Sequence, residues 1–293
     1  MDDLHANICD LPTELKALIL SHVDGVDTRV ALASVSRTWR NAARLPESRP
    51  ARYDTMLLRV LRESCLSLLK DHWPESQAPE EWGWVRMEDD RVVRLGVPTY
   101  PWPLLAVPAV IGQFTSLTVL TLRGNDQLTS LPAEIGQLTS LTWLDLKGNK
   151  LTSLPSEIGQ LTSLKQLDLH ENKLTSLPAE IGQLTSLKWL HLYYNKLTSL
   201  PAEVGQLASL TELGLSYNPL TSLPAEIGQL TSLEQLWLSH NQLTSVPVEI
   251  WQLTSLKWLD LRWNRLTSLP AAIRELEAAG CDVQLEPRVT IDE

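Results

Sequence analysis

A repeat of 23 residues occupies most of this chain and limits the folds that it can adopt. Asparagines recur seven times, first after 24 residues and then every 23, the longer interval containing Asp126. They are Asn125, Asn149, Asn172, Asn195, Asn218, Asn241 and Asn264. A full copy, from Leu164 to Ser186, reads LKQLDLHENKLTSLPAEIGQLTS. One copy cannot bury its leucines alone, so the period predicts a solenoid in which neighbouring copies stack.

Each copy is predicted to contain a short strand, a turn and a return segment. Leu167 and Leu169 alternate with polar residues, as in a strand with one buried face. We expect Asn172 to satisfy backbone groups at the turn, so that the repeated asparagines form an internal ladder. Pro178 starts the return, and Gly182 is expected to allow a tight bend that a side chain would obstruct. Stacking then joins the strands into one parallel sheet.

Both ends of the repeat region are predicted to carry caps, because a solenoid must cover its terminal leucines. Upstream, Val92, Leu95 and Val97 form the strand positions of a degenerate copy. Downstream, IRELEAAG is predicted to form a short helix that ends at Gly280, and Val283 lies in a last strand.

The strand residues that face away from the core are the candidate binding residues. With Leu164 as the first place of a copy, leucines at places four and six point inward, so places three, five and seven point outward. Aromatic side chains mixed with Asp, His and Arg are typical of protein interfaces. With Tyr217 at place eight, the candidates are Trp143, Asp145, Asp168, His170, Trp189, His191, Tyr193, Tyr217, Trp237, Trp258, Asp260 and Arg262. Alternatively, the tryptophans at place three cover neighbouring strands.

The same surface contains residue types that could support metal binding or catalysis. Asp145, Asp168, His170 and His191 come from consecutive copies and could converge. Without thiolates or a fixed loop, we interpret them as a hydrogen-bonded polar patch. A Ser/His/Asp arrangement would also lack a nucleophile elbow and an oxyanion donor. We therefore expect no catalytic activity, no metal site and no cofactor.

Charge and cysteine content narrow the possible partners and compartments. The net charge of -10 and the absence of a Lys/Arg cluster disfavour nucleic acids and anionic membranes. Cys9, Cys65 and Cys281 are too far apart for a zinc site, and their odd number fits a reducing compartment. No stretch approaches the roughly 20 apolar residues that span a bilayer. These features predict an intracellular protein, cytoplasmic or nuclear, whose partner is a protein.

Residues 11–44 follow a helical rather than a repeat pattern. Leu15, Ile19 and Val23 form one apolar stripe, and Val35 and Trp39 lie on a second predicted helix. The segment resembles an F-box. The residues that carry this resemblance are Leu11, Pro12, Glu14, Leu15, Ile19, Leu20, Val23, Asp27, Val35, Ser36, Arg37, Trp39 and Arg40.

The F-box resemblance implies a specific docking role. F-boxes bind the Skp-type adaptor of cullin-RING ubiquitin ligases, and the resemblance implies that Leu11, Pro12, Leu15 and Ile19 are the docking residues. A two-helix cap of the solenoid is the alternative interpretation of this segment.

The repeats over about residues 92 to 285 resemble leucine-rich repeats. This resemblance implies an α/β fold, a curved solenoid with a parallel sheet on its concave face, preceded by the small all-α module. We expect an F-box-like module at 1–47, a helical linker and N-terminal cap at 48–91, the solenoid at 92–270, and a C-terminal cap and tail at 271–293. Together the resemblances imply a substrate-recognition subunit of a ubiquitin ligase, which binds a target protein on the concave face. The alternative is an intracellular signalling scaffold, similar to Ras-group leucine-rich-repeat proteins, without a ubiquitin role.

Overall fold

The structure, a computed structural model, describes residues 84–89, 91–97 and 104–292. The predicted docking residues Leu11, Pro12, Leu15 and Ile19 lie outside this part of the chain, as does the boundary between the two N-terminal segments.

A ten-stranded sheet runs along the solenoid, with one short strand from each repeat. Its strands follow the order β1 to β9 and end with β11, and each neighbouring pair is parallel except β1 with β2. The strands are β1 (Val85–Glu88), β2 (Arg91–Gly96), β3 (Val119–Thr121), β4 (Trp143–Asp145), β5 (Gln166–Asp168), β6 (Trp189–His191), β7 (Glu212–Gly214), β8 (Gln235–Trp237), β9 (Trp258–Asp260) and β11 (Asp282–Gln284). The fold predicted from the repeat is confirmed.

The return segments form 3-10 helices on the other side of the repeats. Those described are Ala109–Gln113, Ala133–Gln137, Ser156–Gln160, Ala179–Gln183, Ala202–Gln206, Ala225–Gln229 and Val248–Gln252. A proline in an extended conformation precedes each one, for example Pro178 with φ -68° and ψ 150°. Proline suits this position because its fixed φ restricts the entering chain and its missing N–H is not needed there.

The C-terminal repeat closes the stack with a different return. Helix α1 (Ile273–Ala278) replaces the 3-10 helix, and Gly280 follows it with φ 95°, a left-handed conformation that favours glycine. A small parallel sheet pairs β10 (Ser268–Leu269) with β12 (Thr290–Ile291). The predicted end helix and last strand are confirmed, while residues predicted as a tail contribute β12.

One continuous apolar core fills the interior between strands and returns. Leu167, Leu169 and Ile181 are fully buried, as are their counterparts in neighbouring repeats. Val92 and Leu95 extend this core into the N-terminal degenerate copy, as predicted. Each buried leucine contributes about 1.5 to 3 kcal/mol relative to an exposed one. The core therefore fixes which strand positions face outward.

The predicted asparagine ladder connects neighbouring repeats. The buried amide of Asn195 donates to Leu169 O at 2.9 Å in the preceding repeat and to Leu192 O at 3.1 Å in its own. Its Oδ1 accepts a hydrogen bond from Leu174 N at 3.0 Å. These bonds satisfy backbone groups that no strand partner reaches.

The expectation that a side chain at Gly182 would be obstructed is confirmed, but the obstruction comes from the next repeat rather than from a left-handed bend. Gly182 lies inside the 3-10 helix Ala179–Gln183, and its φ is outside the left-handed region. A Cβ at this position would approach Glu203 O of the next repeat to 2.5 Å and Glu203 Cβ to 2.9 Å. Glycine is therefore required because consecutive 3-10 helices pack backbone against backbone.

Candidate protein-binding face

Strands β3 to β9 bring the outward residues of seven repeats onto one surface, which we call the strand face. Residues at the same place of neighbouring repeats are paired across the sheet. Gln166 therefore lies between Trp143 and Trp189, and Asp168 lies between Asp145 and His191. All the predicted binding residues from places three, five and seven belong to this face or its seventh-place margin. With about 4.8 Å between strands, seven repeats form a surface about 34 Å long.

The tryptophans of the strand face differ in exposure. Trp189 is 42% exposed, whereas Trp143, Trp237 and Trp258 are half-buried. The rings of Trp237 and Trp258 lie 5.3 Å apart at 41°, and both indole Nε1 atoms are buried with no hydrogen-bond partner in the described part of the chain. The expectation that all these indoles lie free on the surface is wrong for this pair, which packs over neighbouring strands. Trp189 remains the accessible indole in the centre of the face.

Two predicted binding carboxylates are buried. Asp260 is 2% exposed and accepts hydrogen bonds from Arg262 through N at 3.1 Å, Nε at 2.9 Å and Nη2 at 2.9 Å. Burial alone would raise the pKa of Asp260, but the hydrogen bonds and charge of Arg262 lower this pKa overall. Asp145 is 6% exposed, and burial raises its pKa despite a hydrogen bond from Lys147 N. The expectation that both carboxylates are presented to a partner is wrong, because both are buried and Asp260 is also paired with Arg262.

The opposite pKa shifts predict opposite effects of removing the two charges. Asp260→Asn is expected to lower the free energy of unfolding at neutral pH, and Asp145→Asn is expected to raise it. The folded pKa of Asp260 is depressed, so its stabilising contribution is lost as pH falls through that pKa. The folded pKa of Asp145 is raised, so its destabilising contribution is relieved as pH falls below the unfolded pKa.

Urea unfolding at about pH 7 and about pH 3 would measure both effects. The difference between each variant and the parent chain should shrink at the lower pH, where the unfolded carboxylates are largely protonated. A change of the same sign for both variants at neutral pH would contradict the assignment.

The two predicted histidines of the strand face contact carboxylates. His170 Nδ1 contacts Asp168 Oδ1, and His191 Nε2 lies 3.1 Å from Glu212 Oε1. All four side chains are partly exposed. Among the described residues, no three His, Cys, Asp or Glu side chains form a group that could hold a metal ion. The arrangement places two partly exposed pairs of a histidine and a carboxylate on the strand face.

A glycine in the centre of the strand face allows a tyrosine ring to lie flat, which was not predicted from the sequence. Gly214 occupies place five of β7, and the Tyr193 ring covers it so closely that a Cβ there would overlap Tyr193 Cζ. Burial, followed by the nearby Glu212 carboxylate, raises the pKa of Tyr193 above its usual value. Glycine at place five, where the other repeats of the strand face have a side chain, is the sequence feature that could have indicated this arrangement.

Place eight of four consecutive repeats holds a stack of rings at the edge of the strand face. We call Tyr194, Tyr217, His240 and Trp263 the ring ladder. Successive centroids lie 4.2, 4.1 and 5.4 Å apart, with interplanar angles of 13°, 13° and 11°. All four residues have positive φ, from 54° to 59°, and so does Glu171 before them. Only Tyr217 was among the predicted binding residues, although the shared place eight was visible in the repeat.

Comparison with known families identifies both parts of the chain. The family model for the leucine-rich repeat region matches residues 105–215 and 156–244, and a second leucine-rich-repeat model matches 255–276. The F-box domain model matches residues 8–50. Both families are typically interaction modules without enzymatic activity. No curated protein matches the sequence. No helix in the described ranges is long and apolar enough to cross a membrane.

Solved structures with similar folds include bacterial and plant proteins. A Leptospira interrogans leucine-rich-repeat protein is 44% identical over 68% of this chain and 49% of its own, with a TM-score of 0.61. This chain thus spans about half of that protein's length. The ectodomain of the Arabidopsis receptor kinase HAESA, in complex with a peptide hormone, is 27% identical over 82% of this chain and 42% of its own, with a TM-score of 0.66. A plant ice-binding protein is 26% identical over 82% and 77%, with a TM-score of 0.65.

Proposed function

We propose that this chain, which is a leucine-rich-repeat protein with an N-terminal F-box, is the substrate-recognition subunit of a cullin-RING ubiquitin ligase. The observation that carries the proposal is the combination of the two modules in one chain. The F-box would dock on a Skp-type adaptor through Leu11, Pro12, Leu15 and Ile19. The strand face would bind the target protein.

The proposed contribution to ubiquitin transfer is proximity rather than bond chemistry. A rigid solenoid fixes the bound target relative to the adaptor, so that a transfer step catalysed elsewhere in the complex becomes effectively intramolecular. Residues 1–47 would dock, 48–91 would link, 92–270 would bind the target and 271–293 would close the stack. This role would place the protein in the cytoplasm or nucleus.

The strand face has the features of a protein-binding surface. It combines the exposed Trp189 with the half-buried His191 and Glu212, and the backbone beneath them is fixed by the sheet. Aromatic residues on a rigid base lose little conformational entropy on binding and often dominate interface energetics. The peptide hormone bound by the HAESA ectodomain supports a similar use of this fold.

The adaptor interaction is tested by the double substitution Leu11→Ala/Pro12→Ala. We expect it to abolish co-purification of a Skp-type adaptor with the full chain, because it removes the two apolar side chains at the beginning of the proposed docking segment. The thermal unfolding midpoint of the repeats should not change, because the solenoid has its own core. Trp189→Ala is the control and should keep the adaptor. Adaptor binding that persists in the double variant would refute this docking mode, and absence of adaptor binding by the parent chain would favour a scaffold without a ubiquitin role.

The substrate interaction is tested by two tryptophans at the same place of different repeats. For a target recovered by crosslinking to the parent chain, Trp189→Ala is expected to weaken binding by roughly 1 to 4 kcal/mol without lowering the unfolding midpoint. Trp258→Ala should in addition lower the free energy of unfolding by about 1 to 2 kcal/mol, because its ring packs on Trp237. Calorimetry and urea unfolding would measure the two effects. A large loss of stability from Trp189→Ala would show that this ring belongs to the scaffold.

A further inference from the structure

The ring ladder leaves its ring edges open to solvent. Stacking covers the ring faces between Tyr194 and Trp263, but Tyr194 is 50% and Trp263 60% exposed. The left-handed backbone at place eight directs these side chains together in every repeat. Non-glycine residues with positive φ carry a backbone cost and concentrate at functional sites. Exposed aromatic groups in such a regular series therefore need an explanation beyond packing.

An open groove of about 470 Å³ runs beside the C-terminal half of the ring ladder. His240 and Trp263 line it, together with the residues two positions after each of them, Gln242 and Arg265. Asparagines of the internal ladder contribute to the lining. The groove residues besides the rings are Asn218, Pro219, Asn241, Gln242, Asn264, Arg265, Glu286 and Arg288. Backbone hydrogen bonds hold Gln242 and Arg265 in place, since Gln242 N donates to Leu220 O at 2.8 Å and Arg265 N to Leu243 O at 2.9 Å.

Place ten, which Gln242 and Arg265 occupy in the groove, also holds basic residues in some of the preceding repeats. Lys173, Lys196 and Arg265 are exposed at place ten, and none of them forms an ion pair with a described residue. Arg265 and Arg288 also line an adjoining cavity with Leu266 and Thr267. Arg288 donates from Nη2 to Asn264 O at 2.8 Å, and its Nε forms an ion pair with Glu286, so Arg265 is the unpaired cation among the groove residues. The sequence did not suggest this cluster, because its members are separated along the chain by 23 residues or a multiple of 23.

We propose that the ring ladder and its groove bind an acidic segment of a partner protein that carries an aromatic or proline side chain beside its carboxylates. A carboxylate fits the guanidinium group of Arg265, which forms no ion pair with a described residue, and an apolar ring fits the edge of Trp263. Glu286 lines the groove and pairs with Arg288, and Glu171 precedes the ring ladder. These carboxylates and the net charge of -10 oppose a long polyanion such as a nucleic acid. A short acidic segment can place a carboxylate at Arg265 without extending along the whole surface.

The inference rests on the proposed role of the solenoid in partner binding but not on the F-box. A target that binds the strand face would continue across its edge into the groove, so the groove would supply specificity for acidic sequence. Electrostatic attraction would also make the interaction sensitive to salt, because exposed charges are screened at high ionic strength.

Selection of a random peptide library on the full chain tests the proposal directly. We expect enriched peptides to combine Asp or Glu with an aromatic residue or proline. Affinity for the enriched peptides should fall about tenfold or more in Trp263→Ala/Arg265→Ala, and should also fall with added salt. The control Val248→Ala/Arg274→Ala removes an exposed apolar group and a cation from the return side, and should leave the affinity unchanged.

Several results would overturn the proposal: no enriched peptides, basic or neutral consensus sequences, equal affinity in the groove variant, or tighter binding of oligothymidine than of any peptide. Equal unfolding midpoints of both double variants would exclude a folding defect. Leu11→Ala/Pro12→Ala should keep peptide binding, so failure of the adaptor proposal and failure of the groove proposal give different results.

Discussion

Asn195→Ala is expected to lower the free energy of unfolding by roughly 3 to 5 kcal/mol. The substitution removes three donated hydrogen bonds, to Leu169 O, Leu192 O and Tyr193 O. The first two carbonyls keep another asparagine donor, and Tyr193 O keeps the N–H of Glu171. It also leaves the buried Leu174 N without its acceptor. An unsatisfied buried N–H costs about 1 to 3 kcal/mol beyond the lost bonds.

Asn149→Ala provides a matched comparison and is expected to cost only about 1 kcal/mol or less. The insertion of Asp126 lengthens the preceding repeat, so that Leu128 N donates to Asn125 O at 2.9 Å. Asn149 Oδ1 is consequently buried without a partner. Alanine at this position leaves no backbone group without a hydrogen-bond partner, and it removes an oxygen that has none. The two asparagines are similarly buried, at 7% and 5% exposed, so burial does not explain a difference.

Urea unfolding of the two variants and the parent chain would measure this difference. Deletion of Asp126 is a further check, because Leu128 N could then pair with Asn149 Oδ1 as in the other repeats. Equal losses for Asn195→Ala and Asn149→Ala would show that the side-chain bond to the backbone N–H contributes little to repeat stability.

The repeat period was sufficient to predict the fold because each unit contacts mainly its neighbours. In such a stack, the place of a residue within the repeat determines whether it enters the core, as for Leu167 and Leu169. The asparagine ladder followed from the same reasoning. These features depend on a backbone that is the same in every copy.

The candidate site was only partly predictable because it depends on differences between copies. Asp168 and Asp260 share place five, but the guanidinium group of Arg262 lies across Asp260, which is buried, while Asp168 is half-buried. Tyr193 lies flat only because the next repeat has Gly214. The ring ladder likewise needs the positive φ of place eight. The alternation of residues along a strand predicts the side of the sheet on which a side chain lies. How exposed that side chain is depends on its neighbours in the folded structure.

A tryptophan at the end of the stack occupies the place that glycine holds in the earlier returns. Trp251 lies in the 3-10 helix Val248–Gln252, where the equivalent residue of the preceding repeat is Gly228. A Cβ at Gly228 would come within 2.6 Å of Glu249 Cβ in the next 3-10 helix. The next return after Val248–Gln252 is the α-helix α1 instead of another 3-10 helix, and α1 contacts Val248–Gln252. Trp251 therefore fills the space at the change of packing and is 8% exposed.

Trp251→Ala is expected to lower the free energy of unfolding by about 3 to 5 kcal/mol, because it leaves a large cavity between the last 3-10 helix and α1. Trp251 Nε1 has no hydrogen-bond partner among the described residues, so the loss would come from packing alone. Val248→Ala is the control, since this exposed residue of the same 3-10 helix should cost about 0.5 kcal/mol or less. Trp251→Gly should be at least as destabilising as Trp251→Ala, although glycine is the residue of the earlier copies. If glycine instead preserved the urea midpoint, the close approach of 3-10 helices would continue to the end of the stack, and Trp251 would have no capping role.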